Sequence, residues 1–411
     1  MFRYYIKIVI LSSLIIFTVK LFPFVEVKCV LNPYKNVNWS VWKQYKANFH
    51  THTTESGADY TPSETIDKYH AAGYKILTIT DHDNITWPWN DYGRDPDSLG
   101  MLAVKGNEYS RSYHLNGFFN STLDSANLQE GLSDIEMNLG RSHINHPGRL
   151  FDPEEWAWFI PWYQNYPTCK GLEVFNKGDI YPTDRQLWDN INENIFDSDS
   201  ILVWGFSNDD MHTFSNLYHN FQFMLMPDLS QNDLIDCIDN GAFYFCRELT
   251  ATGAASVPRI DSIKVDDQAK TITISGRDYE SIEWIGPGSA VFGYGEVFDF
   301  SEFYEKQFIR AVLYGPDGSS FTQPFGFLYI NNSIVPSTPV NITTEIMNNE
   351  LIIQWDISDN AESYDIYSSN SPEEAFVFEI NVTGNQYIVN IVSTKKFYYI
   401  ISKNSTKNKK E

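Results

Sequence analysis

Six of the nine histidines stand in short clusters with carboxylates in or near them. Imidazole and carboxylate are ligands that divalent zinc, manganese and iron accept, and a bridging carboxylate lets two such ions sit close together. A His-x-His pair that closes a strand places both side chains on one face, because strand side chains alternate with a period of two. The pattern therefore predicts a multinuclear metal site suited to metal-assisted hydrolysis. In chain order the clusters are His50-Thr-His52, Asp81-His82-Asp83, Glu108 with His114, His146-Pro-Gly and Asp210-Met-His212.

The length and composition of the chain limit the classes of protein it can belong to. At 411 residues it exceeds one ordinary domain, so we expect two or three domains. Its formal net charge of −23 argues against a nucleic-acid partner, because no basic patch could neutralise the phosphates. Bound divalent cations would offset part of this charge. The four cysteines show no C-x-x-C spacing, which makes them poor zinc ligands and leaves one disulfide or buried thiols as alternatives.

Residues 1–28 differ in character from the rest of the chain. The apolar run Ile8–Val19 is about a dozen residues long, shorter than the roughly 20 that cross a bilayer and typical of a signal-peptide core. No small-x-small cleavage site follows it, so an uncleaved membrane anchor stays open as the alternative to a cleaved signal peptide. Both alternatives predict an exported protein that is secreted or attached to the cell surface or membrane through its N-terminus.

Residues 44–258 alternate short apolar runs with helical patterns, which is typical of an α/β barrel. Thr61-Pro-Ser-Glu64 is a capping box with proline at the first helical position, and it predicts a helix to about Ala72, stopped by Gly73. A second helix is predicted at Asn232–Asp239. In such a barrel the chemistry lies at the C-terminal ends of the strands, and histidine clusters directly follow several of the apolar runs. The runs predicted as buried parallel strands are Ile76–Thr80, Met101–Val104, Gly171–Phe175 and Ile201–Trp204.

Beyond residue 258 the pattern changes to short strands that alternate apolar and polar residues, with Gly, Pro and Asp between them. We therefore expect all-β C-terminal domains after the barrel: a small β domain at 259–333 and a further β segment at 334–404. Residues 405–411 belong to a polar tail rich in lysine and asparagine, which is predicted to be disordered.

Five motifs occur in a specific order: Asn48-Phe-His-Thr-His-Thr-Thr, Thr80-Asp-His-Asp, Gly106-Asn-Glu, His146-Pro-Gly and Asp210-Met-His. Over about residues 46–250 the chain thereby resembles the PHP (polymerase and histidinol phosphatase) superfamily. The resemblance implies a distorted seven-stranded (β/α)7 barrel that holds two or three divalent ions of zinc, manganese or iron. The whole layout is similar to bacterial metallohydrolases of the carbaryl-hydrolase-like branch, and the segment 334–404 resembles a fibronectin type III module.

The resemblance also implies which residues bind which ion. The first ion would be bound by His50, His52, Glu108 and Asp210, the second by Glu108, His146 and His114, and the third by His82 and His212.

One ligand position departs from the family pattern. The family places an aspartate or a histidine where this chain has Gly57, so a ligand of the third ion is missing or has moved. Asp59 and Glu55 are the nearby carboxylates that could replace it. Asp59 is the candidate ligand if the position has moved. A weakly held third ion is the other interpretation, and we favour it, because moving a ligand by two residues demands a bulged loop that Gly57-Ala58 permits but nothing else in the sequence requires.

Three residues are assigned to catalysis. Glu108 and Asp210 would hold the ions that activate water, and Arg149 would clamp an anionic substrate, because guanidinium binds phosphate through two parallel hydrogen bonds. Arg111 and Lys177 are alternatives to Arg149, and each of the three could instead form a surface ion pair.

Four further residues have structural interpretations beside functional ones. Asp81 and Asp83 flank His82 and either orient ligand imidazoles or lie in a solvated turn. His143 is predicted to be structural or to support the ligands. The resemblance extends to Glu173-Val-Phe-Asn176, which we take as a neutral scaffold feature.

The function implied is that of a metal-dependent hydrolase, most simply a phosphoesterase that uses a metal-bridging hydroxide on a small anionic phosphoester. Hydrolysis of a carboxylic ester, amide or carbamate is the first alternative, because the same hydroxide attacks carbonyl carbon. The second alternative is a non-catalytic surface binding protein, built on a barrel that has lost its activity.

Overall fold

The structure is a computed structural model that describes residues 24–120, 125–199, 201–253, 256–303, 306–332, 339–359, 361–369, 376–390 and 397–403. Within these ranges the chain is a mixed α/β protein in which strands predominate. The helices are α1 (Pro62–Ala71), α2 (Pro96–Leu99), α3 (Leu128–Met137), α4 (Ile160–Asn165), α5 (Asp184–Asp199) and α6 (Gln231–Asn240). The first strands are β1 (Phe24–Leu31), β2 (Lys43–Asn48), β3 (Ile76–Thr78), β4 (Leu102–Val104), β5 (Gly106–Tyr109), β6 (Leu115–Phe118), β7 (Arg141–Ile144), β8 (Cys169–Asn176), β9 (Trp204–Asn208), β10 (Asn220–Met226) and β11 (Phe243–Glu248).

After residue 258 the described secondary structure consists of strands, apart from one 3-10 turn at Pro287–Ser289. These strands are β12 (Arg259–Asp266), β13 (Thr271–Arg277), β14 (Ser281–Gly286), β15 (Ala290–Tyr294), β16 (Val297–Asp299), β17 (Gln307–Gly315), β18 (Gly318–Thr322), β19 (Phe325–Asn332), β20 (Thr343–Met347), β21 (Glu350–Gln354), β22 (Ser363–Ser369), β23 (Val377–Val382), β24 (Gln386–Asn390) and β25 (Phe397–Lys403).

Both helices predicted from the sequence are present, with the expected ends. The Thr61 side chain accepts a hydrogen bond from the Glu64 backbone N–H, and the Glu64 carboxylate accepts one from the Thr61 N–H, which satisfies two free donors at the start of α1. Gly73 follows α1 with a φ of +79°. Helix α6 begins after the cap Ser230 and ends at Gly241, whose φ of +67° suits a residue without Cβ.

Two sheets carry the predicted barrel strands. A five-stranded sheet has the order β5-β6-β7-β8-β9, and an eleven-stranded sheet contains the run β10-β2-β3-β4. The pairs β2-β3, β3-β4, β7-β8 and β8-β9 are parallel, as predicted for their apolar runs. The pair β5-β6 is antiparallel. The connection between these strands, residues 110–114, is too short for a parallel crossover, which needs a dozen or more residues.

One predicted strand begins later than expected. The run Ile201–Trp204 was predicted as a strand, but β9 begins only at Trp204. The backbone of Val203 is bound to helix α5 instead: its N–H donates to Asn192 Oδ1 at 2.8 Å, and its carbonyl accepts from Trp188 Nε1 at 2.8 Å. These bonds use groups that a strand would need for pairing.

Two isolated bridges join the sheets near the histidine clusters. Thr51 pairs with Met211, and His82 pairs with Glu108, both in parallel orientation. The ends of β2 and β9, and of β3 and β5, are thereby held side by side. A closed seven-stranded barrel stays a prediction.

The chain separates into two compact units, one of which is Val27–Tyr329. Strand β18 pairs with β11, so the eleven-stranded sheet continues from the α/β region into the segment after 258. The other unit contains β20 to β25, in two three-stranded sheets around a core that includes Trp355, Tyr364 and Ile366. The division into residues 1–28, 44–258, 259–333, 334–404 and 405–411, and the fibronectin type III resemblance, stay predictions. Residues 1–23 and 404–411 lie outside the described part of the chain.

All four cysteines are free, and Cys169, Cys237 and Cys246 are buried, which agrees with the interpretation as buried thiols. Burial raises the pKa of Cys169 and of Cys246 to about 12, so these thiols are protonated near neutral pH. In the described residues, no helix combines the length and apolarity needed to cross a membrane.

A buried ion pair fastens helix α5 to strand β17. Arg310 Nε and Nη2 donate to the two carboxylate oxygens of Asp189 at 2.7 and 2.8 Å, and both side chains are almost fully buried. Ser289 Oγ donates to the same carboxylate at 2.7 Å. Asp189 belongs to the α/β region, whereas Arg310 and Ser289 belong to the segment 281–315. The ion pair therefore couples these two regions of the unit Val27–Tyr329.

Asp189→Asn should lower the free energy of unfolding by about 3–5 kcal/mol, because it leaves the buried Arg310 charge without a partner. Asp67→Asn is the matched control, because it breaks the exposed Arg94–Asp67 pair, whose loss should cost about 0–1 kcal/mol. Urea unfolding measures both. Equal small losses would show that Arg310 and Asp189 do not couple the two regions.

Candidate metal centre

Six strands deliver the predicted ligands to one place. His50 follows β2, His82 follows β3, and Glu108 lies within β5. The remaining ligands lie beside three other strands: His114 precedes β6, His146 follows β7, and Asp210 and His212 follow β9. Backbone bonds fix these ends, because the Asp210 N–H donates to the His50 carbonyl at 2.9 Å and the His52 N–H donates to the Met211 carbonyl at 3.0 Å.

The Glu108 carboxylate is the centre of the cluster. It is fully buried, and five imidazoles have a ring nitrogen within 3.4 Å of one of its oxygens. The distances to the carboxylate oxygens are 3.4 Å for His50, 3.3 Å for His52, 2.8 Å for His82, 2.8 Å for His114 and 3.4 Å for His146.

Asp210 forms a second centre that shares two imidazoles with the first. Its Oδ1 lies 3.4 Å from His50 Nε2, 3.2 Å from His52 Nε2 and 3.3 Å from His212 Nδ1. His50 and His52 therefore lie between the two carboxylates, and their Nε2 atoms are 3.1 Å apart. This is the position predicted for ligands of the first ion.

Among the described residues, four groups of ligand atoms lie close enough together to hold a metal ion, with all atoms of a group within 4.8 Å of one another. The groups are His50 with His52 and Asp210, His50 with Glu108 and His146, His82 with Glu108 and His114, and His52 with His82 and His212. Each of the predicted ligands except Asp59 belongs to at least one of them.

The donor set fits divalent metal ions. Nitrogen and carboxylate oxygen are the ligands of zinc, manganese and iron sites. Glu108 Oε2 and His82 Nδ1 are 2.8 Å apart, yet both are buried atoms that make no hydrogen bond among the described residues. A buried carboxylate oxygen and a buried ring nitrogen without hydrogen-bond partners are costly unless a cation lies between them.

The electrostatics of the cluster point the same way. Burial opposes the charged form of His50, but the carboxylates of Asp210, Glu173 and Glu108 outweigh it and raise the pKa of His50 well above its usual range. Burial likewise opposes ionisation of Glu108 and Asp210, but the neighbouring imidazoles, His50 first, hold the pKa of both carboxyls well below their usual range. The cluster thus keeps its carboxylates ionised and holds positive charge between them.

Glu173, taken from the sequence as a scaffold feature, supports the ligands directly. Each of its oxygens accepts two hydrogen bonds: Oε1 from His50 Nδ1 at 3.0 Å and Asn208 Nδ2 at 2.9 Å, and Oε2 from the His146 N–H at 3.0 Å and Asn176 Nδ2 at 2.9 Å. The bond to His50 leaves Nε2 of that ring facing the cluster. The signal in the sequence was a glutamate inside the apolar run Gly171–Phe175, where a buried charge needs partners.

Asp81 is an internal anchor and not a solvated residue. It is fully buried and accepts from the Thr53 N–H and Thr53 Oγ1, each at 2.7 Å, from Ser56 Oγ at 2.6 Å, and from Thr86 Oγ1. Ser56 Oγ lies 3.2 Å from His52 Nδ1, so Asp81 orients His52 through Ser56. Asp83 accepts from the Ser110 N–H and hydroxyl at 3.1 and 2.9 Å and holds the two neighbouring loops together.

The structure does not bring Asp59 to the ligands. Asp59 and Glu55 are exposed, and no group of ligand atoms among the described residues includes either. Gly57, with a φ of +91°, turns the chain, and the Asp59 backbone N–H then donates to the His212 carbonyl at 2.8 Å. The backbone of Asp59, rather than its carboxylate, is thereby fixed beside the cluster, which leaves His52, His82 and His212 as the grouped atoms on that side.

Two cationic side chains border the cluster on different sides. Arg149 is exposed, and its Nη1 lies 3.2 Å from His114 Nε2. Lys177 Nζ lies 3.0 Å from Asp210 Oδ2. The predicted clamp residue and one of its two alternatives therefore both reach the ligands.

His143 lies behind the cluster. It is fully buried in β7, its Nε2 is 3.3 Å from Asn208 Nδ2, and its ring packs against Phe118 and Phe206. Burial lowers the pKa of His143 to about 4, so the ring is neutral near neutral pH. These contacts place His143 in the packing behind the ligands, one residue removed from Glu173 through Asn208.

No family model matches the chain, and no curated protein matches it. Among solved structures, it is similar to a two-domain protein containing a predicted PHP-like metal-dependent phosphoesterase from Bacteroides vulgatus, with 14% identity and a TM-score of 0.43, over 80% of this chain and 93% of that one. It is similar to an amidohydrolase from Chromobacterium violaceum with bound sulfate and no metal, with 14% identity and a TM-score of 0.33, over 41% of this chain and 87% of that one. It is also similar to a protein of Bifidobacterium adolescentis assigned to the metal-dependent phosphoesterases, with 16% identity and a TM-score of 0.31, over 40% and 87% of the two chains. With TM-scores below 0.5, these similarities do not establish a family or an activity for this chain.

Glu173→Gln should weaken metal binding by about 10- to 100-fold, because such supporting partners orient ligand imidazoles. Both oxygens accept hydrogen bonds, so an amide in either orientation places its NH2 against donors. Glu248→Gln is the matched control, because Glu248 is also buried but its Oε2 has no hydrogen-bond partner and can be replaced by NH2. Competition with a chelating dye measures the affinities. Equal affinities for wild type and Glu173→Gln would rule out the supporting role of Glu173.

Proposed function

We propose that the protein is a metal-dependent hydrolase whose substrates are small phosphoesters. The observation that carries this proposal is the convergence of five imidazoles on the buried Glu108 carboxylate, beside a second centre at Asp210. Eight of the nine predicted ligands meet there. A binding protein built on an inactive barrel would not need to preserve so many ligands, so this count favours catalysis over the non-catalytic alternative.

The residues divide the work between holding ions and holding substrate. His50, His52, Glu108 and Asp210 would hold one ion, and Glu108 with His146 and His114 a second. When bound, divalent ions lower the pKa of a coordinated water towards neutrality and polarise the oxygens of the electrophile. Glu173 and Asp81, the latter through Ser56, keep the rings of His50 and His52 oriented, so these two rings are held in place before the reaction.

The cations at the border favour a phosphoester over a neutral carbonyl substrate. Arg149 lies beside His114, and Lys177 lies beside Asp210, so positive charge flanks the cluster near both carboxylate centres. Phosphoryl transfer places charge on the equatorial oxygens of the transition state, which guanidinium and ammonium groups stabilise. A carboxylic ester or amide is neutral before attack and develops charge on one carbonyl oxygen, so it offers less for two flanking cations to bind.

Export through residues 1–28, and with it attachment at the cell surface or secretion, belongs to the same proposal. The apolar run with lysines at both ends supports it. The proposed substrate is a small anionic phosphoester that the enzyme meets outside the cytoplasm. The net charge of −23 argues against a nucleic acid as that substrate.

Asp210→Asn should lower the hydrolysis of p-nitrophenyl phosphate by about a hundredfold or more, because an amide cannot supply the charged ligand. The exposed substitution Asp67→Asn should leave the rate unchanged. Metal-loaded wild-type protein is assayed in parallel on p-nitrophenyl acetate. Metal-dependent cleavage of the acetate without cleavage of the phosphate would transfer the proposal to carboxylic esters, and equal rates for wild type and Asp210→Asn would remove the cluster from catalysis.

A further inference from the structure

A basic cavity lies apart from the metal centre. It has a volume of about 410 Å³ and borders the first half of β2, and no predicted metal ligand lines it. Lys46 precedes His50 by four residues, which is roughly 13 Å along an extended chain. The charged side chains that line the cavity are Lys46, Lys75, Arg259, Arg277 and Asp278. Four cations against one carboxylate is the reverse of the whole chain, which has 53 acidic and 30 basic residues.

The ammonium group of Lys46 is enclosed without an acidic partner in contact. Its Nζ lies 4.3 Å from the centre of the Tyr74 ring and 4.2 Å from that of Phe221, and it donates to the Gly253 carbonyl at 3.4 Å. No carboxylate oxygen of the described residues lies within 4.0 Å of it. Burial lowers the pKa of Lys46, against the opposing pull of Glu248 and Asp209, and the charge of Arg259 adds to the lowering. An anion bound close to Nζ would offset the cost of burying the ammonium charge.

Glu248, the acidic residue with the strongest effect on Lys46, is held away from it by hydrogen bonds to one of its two oxygens. Its Oε1 accepts from the Thr250 hydroxyl, from the Thr252 N–H and hydroxyl, and from the Gly253 N–H, at 2.7 to 3.2 Å. Those bonds hold the 250–253 turn and leave the carboxylate outside contact with Lys46. The ammonium group therefore remains available to a ligand.

The guanidinium of Arg259 is fixed in place by neutral groups. It lies 3.7 Å from the centre of the Phe223 ring, its Nη2 donates to Gln44 Oε1 at 2.8 Å, and its Nε donates to the Tyr244 hydroxyl at 3.1 Å. None of these partners carries a negative charge near neutral pH, since burial raises the pKa of Tyr244 well above that range. A rigid cation held by neutral groups is prepared to bind an anion.

We propose that this cavity binds a small phosphate-bearing anion. A phosphate group carries nearly two negative charges and three strong acceptor oxygens, which match an ammonium and a guanidinium that face one cavity. Lys75 and Arg277 extend the positive wall, and the ion pair of Arg277 with Asp261 is exposed, so a stronger anion can displace it. The volume lies within the range of small-molecule sites. The site is independent of the proposed hydrolase centre.

The test counts bound inorganic phosphate on the full-length, metal-loaded protein by equilibrium dialysis. The metal centre is expected to bind phosphate too, so Lys46→Gln should remove one phosphate per chain, or weaken it tenfold or more, and leave the other. The constant for inhibition of p-nitrophenyl phosphate hydrolysis by phosphate should not change. Lys264→Gln, a substitution of an exposed lysine on β12, is the matched control and should bind as wild type does.

Arg277→Gln provides a second variant, because this exposed side chain can be changed without disturbing the core. It should weaken the same phosphate severalfold, with the melting temperature unchanged. Glycerol phosphate as competitor separates two sources of the anion, and it is added to Asp210→Asn protein, which should not hydrolyse it. Displacement at a lower concentration than inorganic phosphate requires indicates a phosphate monoester, and no displacement indicates free phosphate. Wild-type binding by both Lys46→Gln and Arg277→Gln, or displacement of phosphate by equimolar acetate, would overturn the proposal.

Discussion

The buried Glu108 carboxylate places the strictest constraint on this protein. Removing a charge from water is costly unless opposite charge or hydrogen bonds replace the water, and here five imidazoles surround it. Burial opposes the charged form of His50, but the carboxylates of Asp210, Glu173 and Glu108 raise the pKa of that ring well above its usual range, so the site favours positive charge beside Glu108. Divalent ions would supply the same charge more strongly and would at the same time produce a nucleophile from water. Stability and proposed function therefore make the same demand on this cluster.

The rest of the fold can be understood as the framework that meets this demand. The parallel groups β2-β3-β4 and β7-β8-β9 end at the cluster, and the bridges Thr51–Met211 and His82–Glu108 hold the two sheets together there. Behind the ligands lie buried partners that fix the rings, Glu173 for His50 and Asp81, through Ser56, for His52. The basic cavity beside β2 is lined by four cationic side chains and by none of the predicted metal ligands.

The sequence was most informative where local patterns decide the structure. The capping box at Thr61 predicted α1, and apolar runs followed by His or Asp clusters predicted which strand ends meet. Long-range partners were not predictable in the same way: Glu173 acts through His50, which is 123 residues away, and no local pattern connects the two. The Asp59 assignment depended on counting positions in a loop, and a single backbone turn at Gly57 placed its side chain in solvent. The late start of β9 has a similar cause, because side chains of α5 bind the backbone of Val203.

The central claim is that the cluster around Glu108 and Asp210 is a multinuclear metal site. Elemental analysis of full-length protein purified without chelator tests it most directly, with Glu108→Gln purified in parallel. We expect at least two divalent ions per chain in the wild type and a clear loss in the variant, because Glu108 belongs to two of the four groups of ligand atoms. Fewer than one ion per chain in the wild type, or the same content in both proteins, would contradict the account.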